Sequence, residues 1–281
     1  MKMRVLRWPP VGGVSHAWHI DRRRPYRSLH EFGVAEDNAE VDRRDRYGRT
    51  PLMVAAFQGN VPLLRRLLAR EASAKLVDGG GFTPLYYVAN RWRGPLQMTV
   101  ARMLVRHGVD VNAESRDGMR QTALLYAIVN KEHRLIRYLL DKGRGSSRKK
   151  ARTLALWDAL HHGNSPRTID ILLDYDLDVN EPGILHELIG WGRPDYIRKI
   201  IRKGVDVNRR NAGVTPLISA VRYGTQCAVQ ILLEAGANPD IRDDDGRTAL
   251  DYATNDDHWD ADERRRLIDL LISHGAERSD E

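Results

Sequence analysis

The fold is decided by a stretch that recurs along the chain, and residues 215–236, TPLISAVRYGTQCAVQILLEAG, are its clearest copy. Thr215 supplies a hydroxyl that caps a helix N-terminus, and Pro216 stands at the first helical position, where its missing N–H costs nothing. Apolar residues then follow at helical spacing until Gly224, and a second apolar run ends at Gly236, in the position of a left-handed C-cap. The stretch therefore predicts a short helix-turn-helix unit, which cannot bury its own apolar face alone.

The same pattern starts seven times, near residues 50, 83, 122, 154, 183, 215 and 248. Strong copies read Thr-Pro-Leu or Thr-Ala-Leu, whereas Leu154-Ala155-Leu156 and Gly183-Ile184-Leu185 are weaker. An apolar pair follows most starts by 17 residues, and a glycine follows most of these pairs. Two landmarks in one register indicate a solenoid in which each unit stacks on its neighbours.

Several features of the repeat resemble the ankyrin-repeat family. The Thr-Pro-Leu starts, the small residues five and six positions later, the glycine at position nine and the Gly-Val-Asp-Val-Asn stretches at 108–112 and 204–208 all fit its pattern. Residues 45–48 and 243–246 resemble its hairpin tips. The resemblance implies an all-α ankyrin-repeat solenoid of helix-turn-helix units joined by β-hairpin-like links. It also implies that His186 forms a hydrogen bond to a neighbouring hairpin.

The resemblance divides the chain into two parts. Residues 1–27 match nothing in the repeat and are predicted to form a basic, flexible arm, whereas residues 28–278 are predicted to form the ankyrin domain, a half-repeat cap followed by about seven repeats. The fourth and fifth repeats lack Thr-Pro, and the link at 180–182 is too short for a full hairpin tip. Because stability in such arrays is close to a sum of unit and interface terms, we predict that this middle pair is the weak point.

Composition excludes several classes of protein. An apolar content of 42% is too high for a disordered chain. No uncharged apolar run approaches the roughly 18 residues that cross a bilayer. Cys227 is the only cysteine, so no internal disulfide can form, and a reducing compartment fits best. We therefore expect a cytoplasmic protein, with the nucleus as the alternative location.

Candidate catalytic and metal-binding motifs are weak. The glycine-rich residues 78–81 are followed by a helix cap and are interpreted as a hairpin tip that needs positive φ. The adjacent His161 and His162 point in different directions on a helix, unlike the i, i+4 pairs that share a metal ion. No signature unites Ser, His and Asp residues into a catalytic constellation. We expect no enzyme activity, no cofactor and no metal.

The functional prediction is a binding surface. In ankyrin arrays the hairpin tips and first-helix faces line one concave strip, and the resemblance implies that positions three, seven and eight of each unit face it. Trp, Tyr and Arg are typical anchors of protein interfaces, although several of these side chains can equally pack against neighbouring helices. Trp259 is added because it stands in an acidic insertion of the last repeat, which is either a second contact loop for a basic partner or a solvated loop that relieves local positive charge. The predicted partner-binding residues are Phe57, Tyr86, Arg91, Trp157, His161, Trp191, Arg222, Tyr223 and Trp259.

These features favour a non-catalytic scaffold or adaptor that binds another protein and is itself a monomer. The alternative is an adaptor for nucleic acid or an anionic surface that uses the basic arm and a basic patch at 142–152. The arm holds seven basic residues and one acidic residue, Asp21, so it carries most of the net charge of +7. Nucleic acid is the less favoured partner because the basic segments lack interleaved aromatic residues for base stacking.

Three asparagines form a separate motif. Asn112, Asn180 and Asn208 each end an Asp-Val-Asn sequence, with an aliphatic residue eight positions earlier. This arrangement resembles the sites that asparaginyl hydroxylases modify in ankyrin repeats. The resemblance implies that these three residues are candidates for hydroxylation.

Overall fold

The structure, a computed structural model, consists of helix pairs stacked in chain order. It describes residues 41–90, 94–116, 118, 121–143, 148–161, 165–255 and 260–277, without the side chains of residues 148, 150, 151 and 161. The predicted half-repeat cap and the basic arm lie outside the described residues. The first helices of the pairs are α1 (Pro51–Gln58), α3 (Pro84–Asn90), α5 (Ala123–Val129), α7 (Arg148–His161), α9 (Ile184–Gly190), α11 (Pro216–Arg222) and α13 (Ala249–Asn255). The second helices are α2 (Val61–Ala69), α4 (Gln97–Arg106), α6 (His133–Lys142), α8 (Pro166–Leu173), α10 (Pro194–Arg202), α12 (Gln226–Glu234) and α14 (Ala261–Ser273).

Threonine hydroxyls cap several of the first helices, as the sequence predicts. Thr122 Oγ1 accepts a hydrogen bond from the Leu125 N–H at 3.1 Å, and Thr215 Oγ1 accepts one from the Ile218 N–H at 3.2 Å. An N-cap of this kind stabilises a helix by about 1 kcal/mol. Helices as short as α5 and α11 are not stable alone in water, so the caps act together with packing between units.

The helices form two layers that share one core. In α1 every residue from Pro51 to Ala56 is buried, and in α11 the same holds from Pro216 to Val221. In α2, by contrast, only Leu64, Leu67 and Leu68 are buried. First helices are therefore enclosed between neighbouring units, whereas second helices form an outer layer with one apolar and one exposed face.

Glycine follows several second helices in the left-handed region. Gly108, Gly204 and Gly236 have φ values of 81°, 84° and 85°, which residues with a Cβ rarely adopt. Gly143 differs, because its φ is −57° and its N–H donates to the Leu139 carbonyl at 2.8 Å. The chain therefore leaves α6 without the left-handed turn that these other units share.

Hairpin-like tips link the units, and an aspartate holds several of them in shape. The Asp243 N–H donates to the Arg247 carbonyl at 2.9 Å, and the Gly246 N–H donates to the Asp243 carbonyl at 3.1 Å. Asp243 also accepts from the Arg247 N–H at 2.9 Å through Oδ1 and from the Tyr252 hydroxyl at 2.7 Å through Oδ2. Equivalent backbone bonds at Asp45 confirm both tips that the sequence predicts. None of the described residues, including those of the tips, forms an extended strand. The described part of the fold is therefore all-α.

The fourth unit begins differently from the repeat pattern. The pattern starts near residue 154, but α7 already begins at Arg148. Thr153 consequently lies inside the helix, where its Oγ1 donates to the Lys149 carbonyl at 2.9 Å and accepts from the Asp178 N–H at 2.8 Å. A helical turn thus takes the place of the extended segment and threonine cap found in units such as the third and the sixth.

The link from the fourth to the fifth unit is short. Residues 178–182 make only turns, and Gly183 stands directly before α9 with a φ of 91°. The contact between α7 and α9 is the smallest between any two successive first helices. The predicted weak point therefore coincides with the thinnest packing, and its lower local stability stays a prediction.

Candidate protein-interaction surface

Two of the predicted surface residues are enclosed to different extents. Tyr86 is only 2% exposed, because its ring stacks on Phe82 with centroids 3.8 Å apart and meets Tyr126 edge-on at 4.6 Å. Phe57 is half-buried and meets the buried Tyr87 edge-on at 6.5 Å. The structure thus corrects the expectation for Tyr86, whose ring belongs to the core between units and cannot reach a partner. Phe57 stays only partly accessible.

Trp157 joins the fourth unit to the fifth. A Cβ atom placed on Gly183 would lie 2.9 Å from two atoms of the Trp157 ring and 2.9 Å from Nδ2 of Asn211. The indole therefore packs directly on the backbone at Gly183, in space that a side chain would fill. Because Trp157 is half-buried against the core, it supports the stacking of units as well as presenting an edge to solvent.

Four side chains on or just after the first helices α9, α11 and α13 form what we call the aromatic patch: Trp191, Arg222, Tyr223 and Tyr252. Arg222 and Tyr223 are exposed, whereas Trp191 and Tyr252 are half-buried against the core. Tyr223 is 41% exposed, and its ring lies 3.8 Å from the position that a Cβ would take on Gly190 in α9. Arg222 Cζ lies 5.3 Å from the centroid of the Tyr252 ring, a cation–π contact. The contact of Tyr223 with α9 and that of Arg222 with Tyr252 link the fifth, sixth and seventh units.

Charge and protonation in the patch are set by its neighbours at the last tip. Arg247 Cζ lies 5.7 Å from the centroid of the Tyr252 ring, so this ring has a second guanidinium group near it besides that of Arg222. Burial raises the pKa of Tyr252, and the hydrogen bond to Asp243 raises it further. Burial also acts to raise the pKa of Asp243, but hydrogen bonds from Tyr252 and from the Arg247 and Asp245 N–H groups outweigh it and leave that pKa below its ordinary value. The phenol of Tyr252 is therefore protonated at neutral pH.

Three other predicted residues have no described side-chain geometry. Arg91 and Trp259 lie outside the described residues. For His161 the structure gives only the backbone position at the end of α7. Their place in a binding surface stays a prediction.

The predicted basic patch at 142–152 is partly folded into the array. Arg152 is buried, and its Nη2 donates to the Leu140 carbonyl at 2.9 Å. Lys149 Nζ pairs with Asp176 Oδ2 at 3.0 Å. Arg152 is therefore not free to bind phosphate, which corrects the expectation that this whole segment faces an anionic partner.

Groups for metal binding or nucleophilic chemistry are sparse. Among the residues that the structure covers, no three or more His, Cys, Asp or Glu side chains are arranged to hold a metal ion. Cys227 is exposed at the start of α12. The chemistry that the first-helix face does offer is that of aromatic rings, guanidinium groups and hydrogen-bond donors.

Comparison with known families accounts for this architecture. The family model described as "Ankyrin repeats (3 copies)" matches residues 27–115, 99–183 and 185–279, which together span most of the chain. The chain belongs to the ankyrin repeat family. Ankyrin repeats are generally protein–protein interaction modules, and their fold is typically non-enzymatic.

Relatives and solved structures share the ankyrin repeats. Ankyrin repeat protein nuc-2 of Neurospora crassa is 27% identical over 81% of the chain, and B-cell lymphoma 3 protein of Homo sapiens is 29% identical over 86% of it. The chain spans 18% and 53%, respectively, of the lengths of these two relatives. The crystal structure of the ankyrin repeat domain of Bcl-3 has a TM-score of 0.60 at 24% identity, covering 80% of this chain and 99% of that one. This last likeness shows a common fold. As for membranes, none of the helices in the described ranges combines the length and apolarity needed to span a bilayer.

A histidine of the fifth ankyrin repeat has the role that the resemblance implies. His186 Nε2 donates to the Val214 carbonyl at 3.0 Å and so connects α9 to the tip of the next repeat. Burial lowers the pKa of His186, and the hydrogen bond to Val214 opposes that shift without cancelling it. The imidazole is therefore neutral at pH 7 and structural.

The Asp-Val-Asn asparagines connect successive ankyrin repeats. Asn180 Oδ1 accepts from the Asp206 N–H at 2.8 Å, and Asn208 Oδ1 accepts from the Asn238 N–H at 2.8 Å. Asn112 stands at the same place in its own repeat. These bonds give Asn180 and Asn208 a structural role, and hydroxylation of the three asparagines stays a prediction.

Sequence reasoning did not select Tyr252 for the binding surface. Tyr252 lies nine residues after Asp243, and its hydroxyl donates to that carboxylate. The same spacing separates Tyr87 from Asp78, where the hydroxyl donates to Oδ2 at 2.5 Å. This repeated spacing from aspartate to tyrosine is a sequence signal that identifies the tyrosine as part of the tip.

Proposed function

We propose that this ankyrin repeat chain is a non-catalytic adaptor that binds another protein through the aromatic patch. The observation that carries the proposal is the exposure of Tyr223 and Arg222, with the Tyr223 ring resting on the adjoining repeat at Gly190, the residue before Trp191. Tyr, Trp and Arg dominate the binding energy of protein interfaces because they bury large areas on few rotatable bonds. The proposal includes that the chain binds as a monomer in the cytoplasm, with the nucleus as the alternative location.

The packing of the patch supports this assignment. Tyr252 is held by its hydrogen bond to Asp243, and Tyr223 rests on α9 at Gly190. Ordering a flexible side chain at an interface costs about 0.5–1.5 kcal/mol. Because these rings are already positioned in the free protein, most of that cost is absent when a partner binds.

Capture of partners with matched variants tests the proposal. The patch variant is Arg222→Ala with Tyr223→Ala, and the control is Arg46→Ala with Tyr47→Ala. In the control pair Arg46 Cζ lies 4.8 Å from the centroid of the Tyr47 ring, and Tyr47 is 49% exposed at the first tip. Both changes thus remove an exposed arginine and an exposed tyrosine.

We expect affinity purification with mass spectrometry to recover the same specific partners with the wild-type and control chains and to lose them with the patch variant. Thermal unfolding of all three chains shows whether they remain folded. Recovery of the same partners with the patch variant would overturn the assignment of the binding surface.

A further inference from the structure

The outer layer of the first three repeats carries a concentration of positive charge. The helices α2 and α4 contain arginine and no acidic residue, and α6 contains Asp141 as its one acidic residue. Among the residues that the structure covers, none of the six arginines on these helices forms an ion pair. We call this surface the arginine face, and its exposed members are Arg65, Arg66, Arg102, Arg106, Arg134 and Arg137.

Repeat register places these arginines side by side. Arg65, Arg102 and Arg137 each stand two residues before the buried leucine that begins the apolar pair of their repeat. Packed neighbouring helices lie about 8–10 Å apart. Equivalent positions on α2, α4 and α6 therefore form a row of guanidinium groups across the outer layer.

The neighbourhood of Tyr138 shows that the helices bring these charges close to one another. Burial raises the pKa of Tyr138 in α6, while the positive charges of Arg102 and Arg106 in α4 act to lower it. Both arginines therefore lie near α6 and add to the charge of Arg134 and Arg137 on that helix. Like charges so placed repel one another, and an anion between them relieves that repulsion.

Acidic residues end the row at the fourth repeat. Asp170 in α8 takes the register position of Arg137 and is exposed. Asp174, one turn further, pairs with Lys199 of α10 at 2.5 Å. The row of Arg65, Arg102 and Arg137 is consequently three helices wide, which at ordinary helix spacing is about 20 Å. On α8 the exposed Arg167, at the register position of Arg134, lies next to the carboxylate of Asp170, so positive charge there is offset.

We propose that the arginine face binds a short acidic segment of a partner protein. Carboxylates match the planar fork of the guanidinium group, and an extended segment of about six residues spans about 20 Å. A nucleic-acid duplex lying along the row, or an anionic bilayer, would extend past the third repeat and meet the carboxylates of α8. The limited width of the face therefore favours a short acidic peptide. This surface is separate from the aromatic patch, so the inference does not depend on the proposed function.

Equivalent arginines on two helices provide a charge-matched test. Arg102→Glu with Arg106→Glu changes the arginine face on α4. Arg198→Glu with Arg202→Glu makes the same change, at the same register positions, on α10 outside the face. The probe is a fluorescently labelled peptide of Asp and Glu, about ten residues long so that it spans the face. Binding is followed by fluorescence anisotropy in the full chain at physiological ionic strength.

We expect the α4 variant to bind the acidic peptide about tenfold more weakly than the wild type and the α10 variant to bind it within about twofold of the wild type. Circular dichroism shows whether both variants remain folded. If the α4 glutamate variant unfolds, Arg102→Gln with Arg106→Gln replaces it, and at least about threefold weaker binding is expected.

Three results would overturn the proposal. The first is the absence of saturable peptide binding by the wild type. The second is that the α4 and α10 variants bind the peptide equally weakly, which indicates a general attraction to net charge. The third is tighter binding of a short DNA duplex or of phosphatidylserine vesicles with the same dependence on Arg102 and Arg106. That result would assign the face to nucleic acid or to membrane.

Discussion

Replacing Gly183 by alanine tests how the fourth and fifth repeats are joined. The new Cβ would lie 2.9 Å from two ring atoms of Trp157 and 2.9 Å from Asn211 Nδ2. The backbone φ of 91° at Gly183 adds a second penalty. We expect about 1–2 kcal/mol from the left-handed backbone and about 1–3 kcal/mol from overpacking, so the free energy of unfolding falls by about 2–5 kcal/mol.

Gly192→Ala is the matched control in the same repeat. Gly192 also has a positive φ, 61°, but a Cβ there would meet nothing within 4 Å. We expect this variant to lose only the backbone contribution, about 1–2 kcal/mol. Urea denaturation followed by far-UV circular dichroism measures both losses. If the two alanine variants are equally destabilised, the argument that Trp157 packs on Gly183 is wrong.

A double variant separates the two contributions at Gly183. Trp157→Leu shortens the side chain that the new Cβ would meet, so Gly183→Ala should cost less in that background than in the wild type. The difference between the two costs is the coupling energy of a double-mutant cycle, and we expect it to be about 1 kcal/mol or more. A coupling near zero would contradict the overpacking argument.

The remaining predictions concern the tip, the buried histidine, the middle repeats and the asparagines. Tyr252→Phe removes the hydrogen bond to the Asp243 carboxylate, and we expect a loss of about 1–2 kcal/mol in urea denaturation; unchanged stability would show that the bond contributes nothing. Burial lowers the pKa of His186 in the folded chain, so the unfolded chain binds a proton more readily as the pH falls. The contribution of His186 to the free energy of unfolding is therefore complete above the ordinary pKa near 6.5 and decreases as the pH drops below it. His186→Gln should reduce that pH dependence in thermal melts, and an identical dependence would exclude His186 as its source. Hydrogen exchange should be faster over residues 154–201 than in the flanking repeats, and equal protection would contradict the predicted weak point. Co-expression with an asparaginyl hydroxylase should add oxygen to the Asp-Val-Asn sites, and an unchanged intact mass would remove that prediction.

Features that depend on residues close together in the chain were predictable from the sequence. The Thr215 cap and the left-handed Gly236 each follow from a few neighbouring positions, and the tip at Asp243 follows from a short local pattern. The start of α7 was not predictable in this way. Thr153 bonds to the Asp178 N–H, which is far along the chain, and its hydroxyl therefore supports a helix interior where the pattern suggests a helix start.

The candidate surface was predictable only where repeat position alone decides exposure. Tyr223 and Arg222 stand just before the glycine that ends a first helix, and both are exposed. Tyr86 is different, because Phe82 and Tyr126 enclose its ring. Such enclosure depends on which side chain the next repeat supplies, and a position-by-position reading of one repeat does not contain that information.

Asp243 also separates the residues that shape the last tip from those that can change freely. Asp243 Oδ1 accepts from the backbone N–H groups of Asp245 and Arg247, so it holds the tip without using the side chains of residues 244 and 245. An exposed ion pair such as Asp244 with Arg210 adds little to stability. New side chains at these two positions therefore alter what the surface recognises at small cost to the scaffold, which makes the tips suitable sites for evolving or engineering a different specificity.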